Sequence, residues 1–112
     1  MNKQLRIVSI LFFEAQPGWL ALSREKRNEI MGPLRGILTK HSGVSLRWLD
    51  ADTIGHGYTD MALCEFHDIR DYHFLWEELR DTSVFSTPYF ILKSTSIGIE
   101  DAYVAYEKEA SS

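Results

Sequence analysis

The stretch from Gln4 to Glu14, with LRIVSILFF at its centre, most constrains what this chain can become. Its residues are β-branched and aromatic, and both parities are apolar: Leu5, Ile7, Leu11 and Phe13 on one, Val8, Ile10 and Phe12 on the other. Alternate side chains of a strand point to opposite faces, so such a strand needs cover on both. A chain of 112 residues has room for one core, not two. We therefore expect a single domain over residues 1–112, with 103–112 peripheral or frayed, whose sheet is covered on one side by its own helices and on the other by something else.

The remaining elements are read from periodicity and punctuation. Pro17 and Gly18 read as a turn. Ser23 is placed to cap a helix from Arg24 to Lys40, with Ile30, Leu34, Ile37, Leu38 and His41 at helical spacing. Gly32-Pro33 inside it predicts a kink or two abutting pieces, because proline removes a backbone bond and crowds the preceding turn. Val44 to Asp50 and Asp60 to Phe66 read as strands joined by the glycine-containing loop ADTIGHGYT. Asp68 then caps a helix from Ile69 to about Arg80 whose buried stripe is Ile69, Tyr72, Leu75, Trp76 and Leu79. A loop, DTSVFSTP, leads to a last strand from Tyr89 to about Ile97, and Glu100 to Glu107 reads as a short helix or a strand extension.

The order β-α-β-β-α-β predicts an α+β, ferredoxin-like fold: a four-stranded antiparallel sheet with two helices on one face. Two helices leave the second face of the first strand bare. A second copy related by a two-fold axis is the simplest cover, so a homodimer of the dimeric α+β barrel type is expected.

Charge and cysteine content narrow the function classes. Twelve Lys and Arg against sixteen Asp and Glu give a net charge of -4, which repels phosphate backbones and anionic membranes, so no nucleic-acid or membrane partner is expected. The one basic cluster, Arg24, Lys26 and Arg27, reads as helix surface or as partners for Glu25 and Glu29. The single cysteine, Cys64, forbids an intrachain disulfide and suits a reducing cytoplasm. The apolar run near the start is interrupted by Ser9 and ended by Glu14, resembles no cleavable signal, and is far below the ~20 residues that span a bilayer.

Three segments, WLALSREKRNEI, VSLRWLDADT and YHFLWEELRDTSVFSTPYF, keep their order from Trp19 to Phe90 and resemble the darcynin family of small bacterial proteins. The resemblance implies a ferredoxin-like domain of the dimeric α+β barrel kind. It implies no activity and supplies no catalytic residue.

Chemistry is sparsely advertised. There is no Walker loop, GxGxxG, HExxH, GxSxG or paired-cysteine motif. Asp50, Asp52 and Gly55 match the first, third and sixth places of a calcium loop, but Ile54 and Met61 occupy the fifth and twelfth, where ligands belong. We read a hairpin loop instead, either solvated or forming the rim of a ligand cavity with His56 and Tyr58 as its polar groups. His41, His56, His67 and His73 include no i, i+4 pair, so no metal site and no cofactor are expected, although a single haem-ligating histidine would leave no motif. Cys64, mid-strand and without a neighbouring cation, reads as core filler. Arg6 and Arg47 interrupt apolar strands and call for a carboxylate, with Glu65 as the structural partner, or else an anionic ligand.

The functional expectation is a homodimeric binder of a small organic ligand, with Arg47, His56, Tyr58 and His67 as ligand-binding candidates. Its enzymatic form would be a cofactor-independent monooxygenase or cyclase. The alternative is a non-catalytic regulatory or protein-interaction dimer.

Overall fold

The computed structural model describes residues 4–52 and 54–111. Residues 1–3, Thr53 and Ser112, which fall within the one-domain and hairpin-loop expectations, lie outside the described residues. Strands β1 (Ile7–Ala15), β2 (Val44–Asp50), β3 (Asp60–Phe66) and β4 (Phe90–Ile99) form one antiparallel sheet in the spatial order β2-β3-β1-β4. Helices α2 (Arg24–Lys40) and α3 (Ile69–Arg80) come after β1 and β3. This is the α+β, ferredoxin-like arrangement that the element order predicts.

Side-chain parity sorts the sheet into two faces. Ser9, Leu11, Phe13, Ala62, Cys64, Phe66 and Val44 point to the helix side and are buried with Leu34 of α2 and Leu75 and Leu79 of α3. Val8, Ile10, Phe12, Met61 and Leu63 point the other way and are only half-buried. Arg47 and Glu65 share that open face, 3.5 Å apart, with Arg6 3.9 Å from the same carboxylate. The arginines thus find the carboxylate expected for them, but on a hydrated face, where such pairs contribute little.

Local chemistry sets the helix starts. The Ser23 hydroxyl accepts from the Lys26 amide at 3.1 Å and the Asp68 carboxylate from the Arg70 amide at 2.8 Å. At the far end of α2, Glu78 of α3 meets Lys40 at 2.7 Å and His41 at 2.9 Å, and these two partners, Lys40 foremost, lower its pKa.

Several expectations need correction. The first strand begins at Ile7, not Gln4, and the last runs Phe90–Ile99 rather than from Tyr89 to Ile97. Pro17-Gly18 opens a one-turn helix, α1 (Pro17–Leu20), whose last carbonyls accept from the Arg27 guanidinium. A second one-turn helix, α4 (Ser83–Ser86), lies in the loop before β4. Helix α2 runs through Pro33 as one element and not as two abutting pieces: Pro33 is exposed, so the carbonyl it leaves unpaired can be hydrated. Ile69, at the first turn of α3, is 54% exposed and outside the buried stripe. The tail is a helix, α5 (Ala102–Ser111), with no buried residue.

One irregularity sets the character of the last strand. Phe12 pairs with Ser94 but Phe13 pairs with Leu92, so Lys93 is an extra residue and β4 carries a bulge. Beyond Phe90 every residue of β4 is exposed, including Leu92, Ile97 and Ile99 on the helix side. Helix α3 packs over β2 and β3, leaving β4 bare beside it.

Candidate functional site

A groove of about 350 Å³ opens between α3 and β4 on the helix side of the sheet. Leu11 and Phe13 of β1 form its floor. Tyr72, His73, Trp76 and Arg80 of α3 form one wall, and their i, i+4 spacing explains why one flank of a single helix supplies them all. Phe90, Leu92 and Thr95 of β4 form the other wall, with Phe85 of α4 at one end. The aromatic rings are mutually packed: Phe13 lies 5.9 Å from Trp76 and 5.4 Å from Phe85, and Trp76 lies 5.6 Å from Phe85.

Charge is confined to the mouth. Glu77 stands 3.5 Å from both His73 and Arg80, and all three side chains are more than half exposed. The Ser9 hydroxyl and the Trp76 indole N–H are both buried and make no hydrogen bond among the described residues. Both come near the Cys64 thiol and favour its ionisation slightly, yet neither reaches hydrogen-bond geometry. Burial outweighs them and pushes the thiol up to about 11, so Cys64 is protonated at neutral pH and is no nucleophile. Burial likewise raises the Tyr72 phenol, with nearby Ser9 working against it and Cys64 adding to it.

A second buried polar cluster closes the end of the β2-β3 hairpin. Asp60 is 5% exposed and accepts from the Trp48 indole at 3.0 Å and the Thr59 hydroxyl at 2.7 Å. Burial raises its pKa, the two hydrogen bonds lower it, and Asp50, its partner across the strands, raises it again. Trp48 carries this cluster to the aromatic core, stacking on Phe13 at 5.3 Å.

The four residues singled out by sequence do not converge on the groove. Arg47 lies on the open sheet face, paired with Glu65. His56 is exposed at the tip of the hairpin loop. Tyr58 is half-buried and sets its ring edge-on to Phe12 at 4.9 Å, again on the open face. His67 is exposed, sits 3.0 Å from the Leu5 carbonyl, and lines a wider, polar hollow of about 670 Å³ beneath α5. The loop's glycines have specific work: a Cβ on Gly55 would stand 2.5 Å from the Tyr58 carbonyl, and Gly57 has φ +86. No group of three or more His, Cys, Asp or Glu able to hold a metal occurs among the described residues, and no helix among them is long and apolar enough to cross a membrane.

Sequence reasoning placed Tyr72 and Trp76 in the core and missed that they border a groove. The only sign in the sequence is the polar middle of β4, ILKSTSIGI, which does not by itself say that a helix leaves the strand bare.

Comparison with known proteins agrees with this fold. The family model described as "Darcynin, domain of unknown function" matches residues 4–112. Darcynin 1 of Acinetobacter baumannii is 36% identical over 89 residues, covering 79% of this chain and 99% of that protein. Darcynin of Chromobacterium violaceum is 25% identical over 76 residues, 68% of this chain and 96% of that one. Among solved structures, chlorite dismutase from Candidatus Nitrospira defluvii in complex with imidazole superposes with a TM-score of 0.76 at 14% identity, over 94% of this chain. The chain spans 44% of that enzyme's length, and the likeness concerns the fold.

Proposed function

The chain belongs to the darcynin family, a membership that leaves its activity open, and on that premise we propose that it is a homodimeric binder of a small organic molecule held between α3 and β4. One observation carries this reading: a groove of about 350 Å³ with aromatic walls, in the size range of small-molecule sites. The lining residues that can carry a full charge, His73 and Arg80, are more than half exposed and share Glu77, which supports binding more directly than turnover. In the enzymatic form, a cofactor-independent monooxygenase or cyclase, the groove would orient and desolvate a substrate.

The dimer in this proposal is formed by the open sheet face, where Ile10, Phe12, Met61 and Leu63 lack helical cover. Arg47 and Tyr58 would then belong to the subunit interface, with His56 at its rim and His67 outside it. A reducing cytoplasm suits the buried, unpaired Cys64. The alternative, a protein-interaction dimer, has its own support in Tyr103 and Tyr106 of α5, which are 67% and 72% exposed.

Titration with the neutral fluorescent probe phenylnaphthylamine tests the ligand reading. Saturable binding is expected, and Thr95→Phe, which fills the groove from an exposed strand position, should weaken it at least roughly tenfold. Non-saturating fluorescence indifferent to that substitution would refute the site.

A further inference from the structure

We infer that the groove takes an aromatic anion: one or two fused rings held between α3 and β4, with a carboxylate at one end that stays at the mouth and is received by the Arg80 guanidinium. This deepens the ligand-binding reading and rests on it.

The sign of the charge comes from how α3 sorts its ionisable residues. Asp71 lies against Gly43, just ahead of β2, and Glu78 is bound by Lys40 and His41 at the end of α2; neither borders the groove. His73 and Arg80 do border it. Their side chains are 66% and 71% exposed, so a ligand at the mouth can reach both. Asp60, buried on the helix side of the sheet, is held by Trp48 and Thr59 and does not line the groove either. On the opposite wall the only charged residue of β4 is Lys93, next to the lining residue Leu92. Among the described residues, then, no acid lines the groove, although the chain carries a net charge of -4. Such a border favours anions. Glu77 offsets part of this field, but its contacts to His73 and Arg80 are long, 3.5 Å, and hydrated, so an arriving carboxylate can replace it on Arg80.

Burial divides the rings from the charge. Phe13, Trp76, Phe85 and Phe90 surround a slot of about 350 Å³, and offset or edge-on ring contacts are the most favourable use of such faces. A carboxylate driven in among them would lose its hydration without an opposite charge in return. At the mouth it keeps part of its water and gains the planar fork of Arg80, which matches two carboxylate oxygens at once. The occupant is therefore amphipathic along its length. A neutral aromatic molecule forgoes the contact with Arg80, and a cationic one meets a like charge there.

The test compares three probes of similar shape and different charge: naphthoate, acetylnaphthalene and naphthylmethylammonium. Each is titrated by displacement of phenylnaphthylamine. At low salt naphthoate should bind about three- to tenfold tighter than the neutral ketone, and the cation should bind weakest. Raising the salt from about 20 mM to about 500 mM should shrink that preference, since an exposed ion pair is screened and ring burial is not. Arg80→Gln should bring naphthoate down to the affinity of the ketone, whereas Glu77→Gln, which releases Arg80, should tighten naphthoate by about two- to threefold. Thr95→Phe should weaken naphthoate and ketone alike, as expected if both occupy the groove. Circular dichroism of each variant establishes that it is folded. Equal affinity for naphthoate and ketone overturns the inference and leaves the binding reading standing. A preference for naphthoate that survives Arg80→Gln overturns it too, as does naphthoate binding that ignores Thr95→Phe while ketone binding responds. Failure of all three probes to bind folded protein removes the binding reading and the inference with it.

Discussion

Asp60 shows how a single residue can be named correctly and still be misjudged from sequence. It reads as the first residue of a strand, and nothing next to it in the sequence marks it as buried. In the structure its carboxylate is buried behind Trp48 and faced by Asp50. Its burial depends on the β2-β3 register and on the reach of an indole twelve residues away, neither of which is local. Because its folded-state pKa is raised above 3.8, the folded protein holds the proton more tightly than the unfolded chain. The stability from this group is therefore complete below the unfolded value and is lost as pH rises through the folded one. Urea denaturation from about pH 4 to about pH 7 should show wild type losing stability relative to Asp60→Asn, which cannot ionise and can still accept from Trp48. A constant difference between the two across that range would contradict the burial of this carboxylate. Asp60→Ala, which orphans both donors, should cost roughly 1–3 kcal/mol at any pH. Cys64 is the opposite case: its mid-strand place without a neighbouring cation sufficed to read it as core, and it is fully buried.

At the scale of elements, what was legible was what local chemistry encodes. Ser23 and Asp68 fix the starts of α2 and α3 by accepting amides two or three residues on, and period-two alternation marks β2. The one-turn helices α1 and α4 are too short to have a period, and they read as loops. The polar middle of β4 conveyed a strand but not that α3 leaves it bare, since that depends on how the helix seats over β2 and β3 and on a bulge at Lys93. Pro33 tests the limits of local rules. Packing of Ile30, Leu34 and Ile37 against the core holds α2 together through a residue that disfavours it. The helix then carries an uncompensated local cost, and Pro33→Ala should raise the unfolding free energy by about 1–3 kcal/mol, less whatever the freer unfolded chain takes back. Urea midpoints measured at constant slope would show it. An unchanged or lowered midpoint would mean that neighbouring packing has adapted to the proline ring.

At the scale of the molecule, surface is in excess. The chain extends 59 × 31 × 17 Å with a radius of gyration of 16.7 Å, against about 13 Å for a compact domain of this length. The excess comes from β4 and α5, which reach beyond the helical layer, while the open face adds half-buried Ile10, Phe12, Met61 and Leu63. The double parity of the first strand conveyed the second surface from sequence alone; the bareness of β4 was hidden in tertiary geometry. If a second copy covers the open face, Ile10 lies near its centre, paired with Leu63 on one side and Ser96 on the other. Ile10→Glu is then expected to place two unpaired carboxylates in the interface, one from each subunit, and to weaken association roughly a hundredfold or more. The half-buried position lets the same carboxylate be hydrated in the monomer, so circular dichroism should stay native. Light scattering after size exclusion should therefore report twice the chain mass for wild type and the single chain mass for the variant at micromolar concentration. A wild-type protein already monomeric there would show that water tolerates this face, and the apolar residues of β1 would need another partner to explain them.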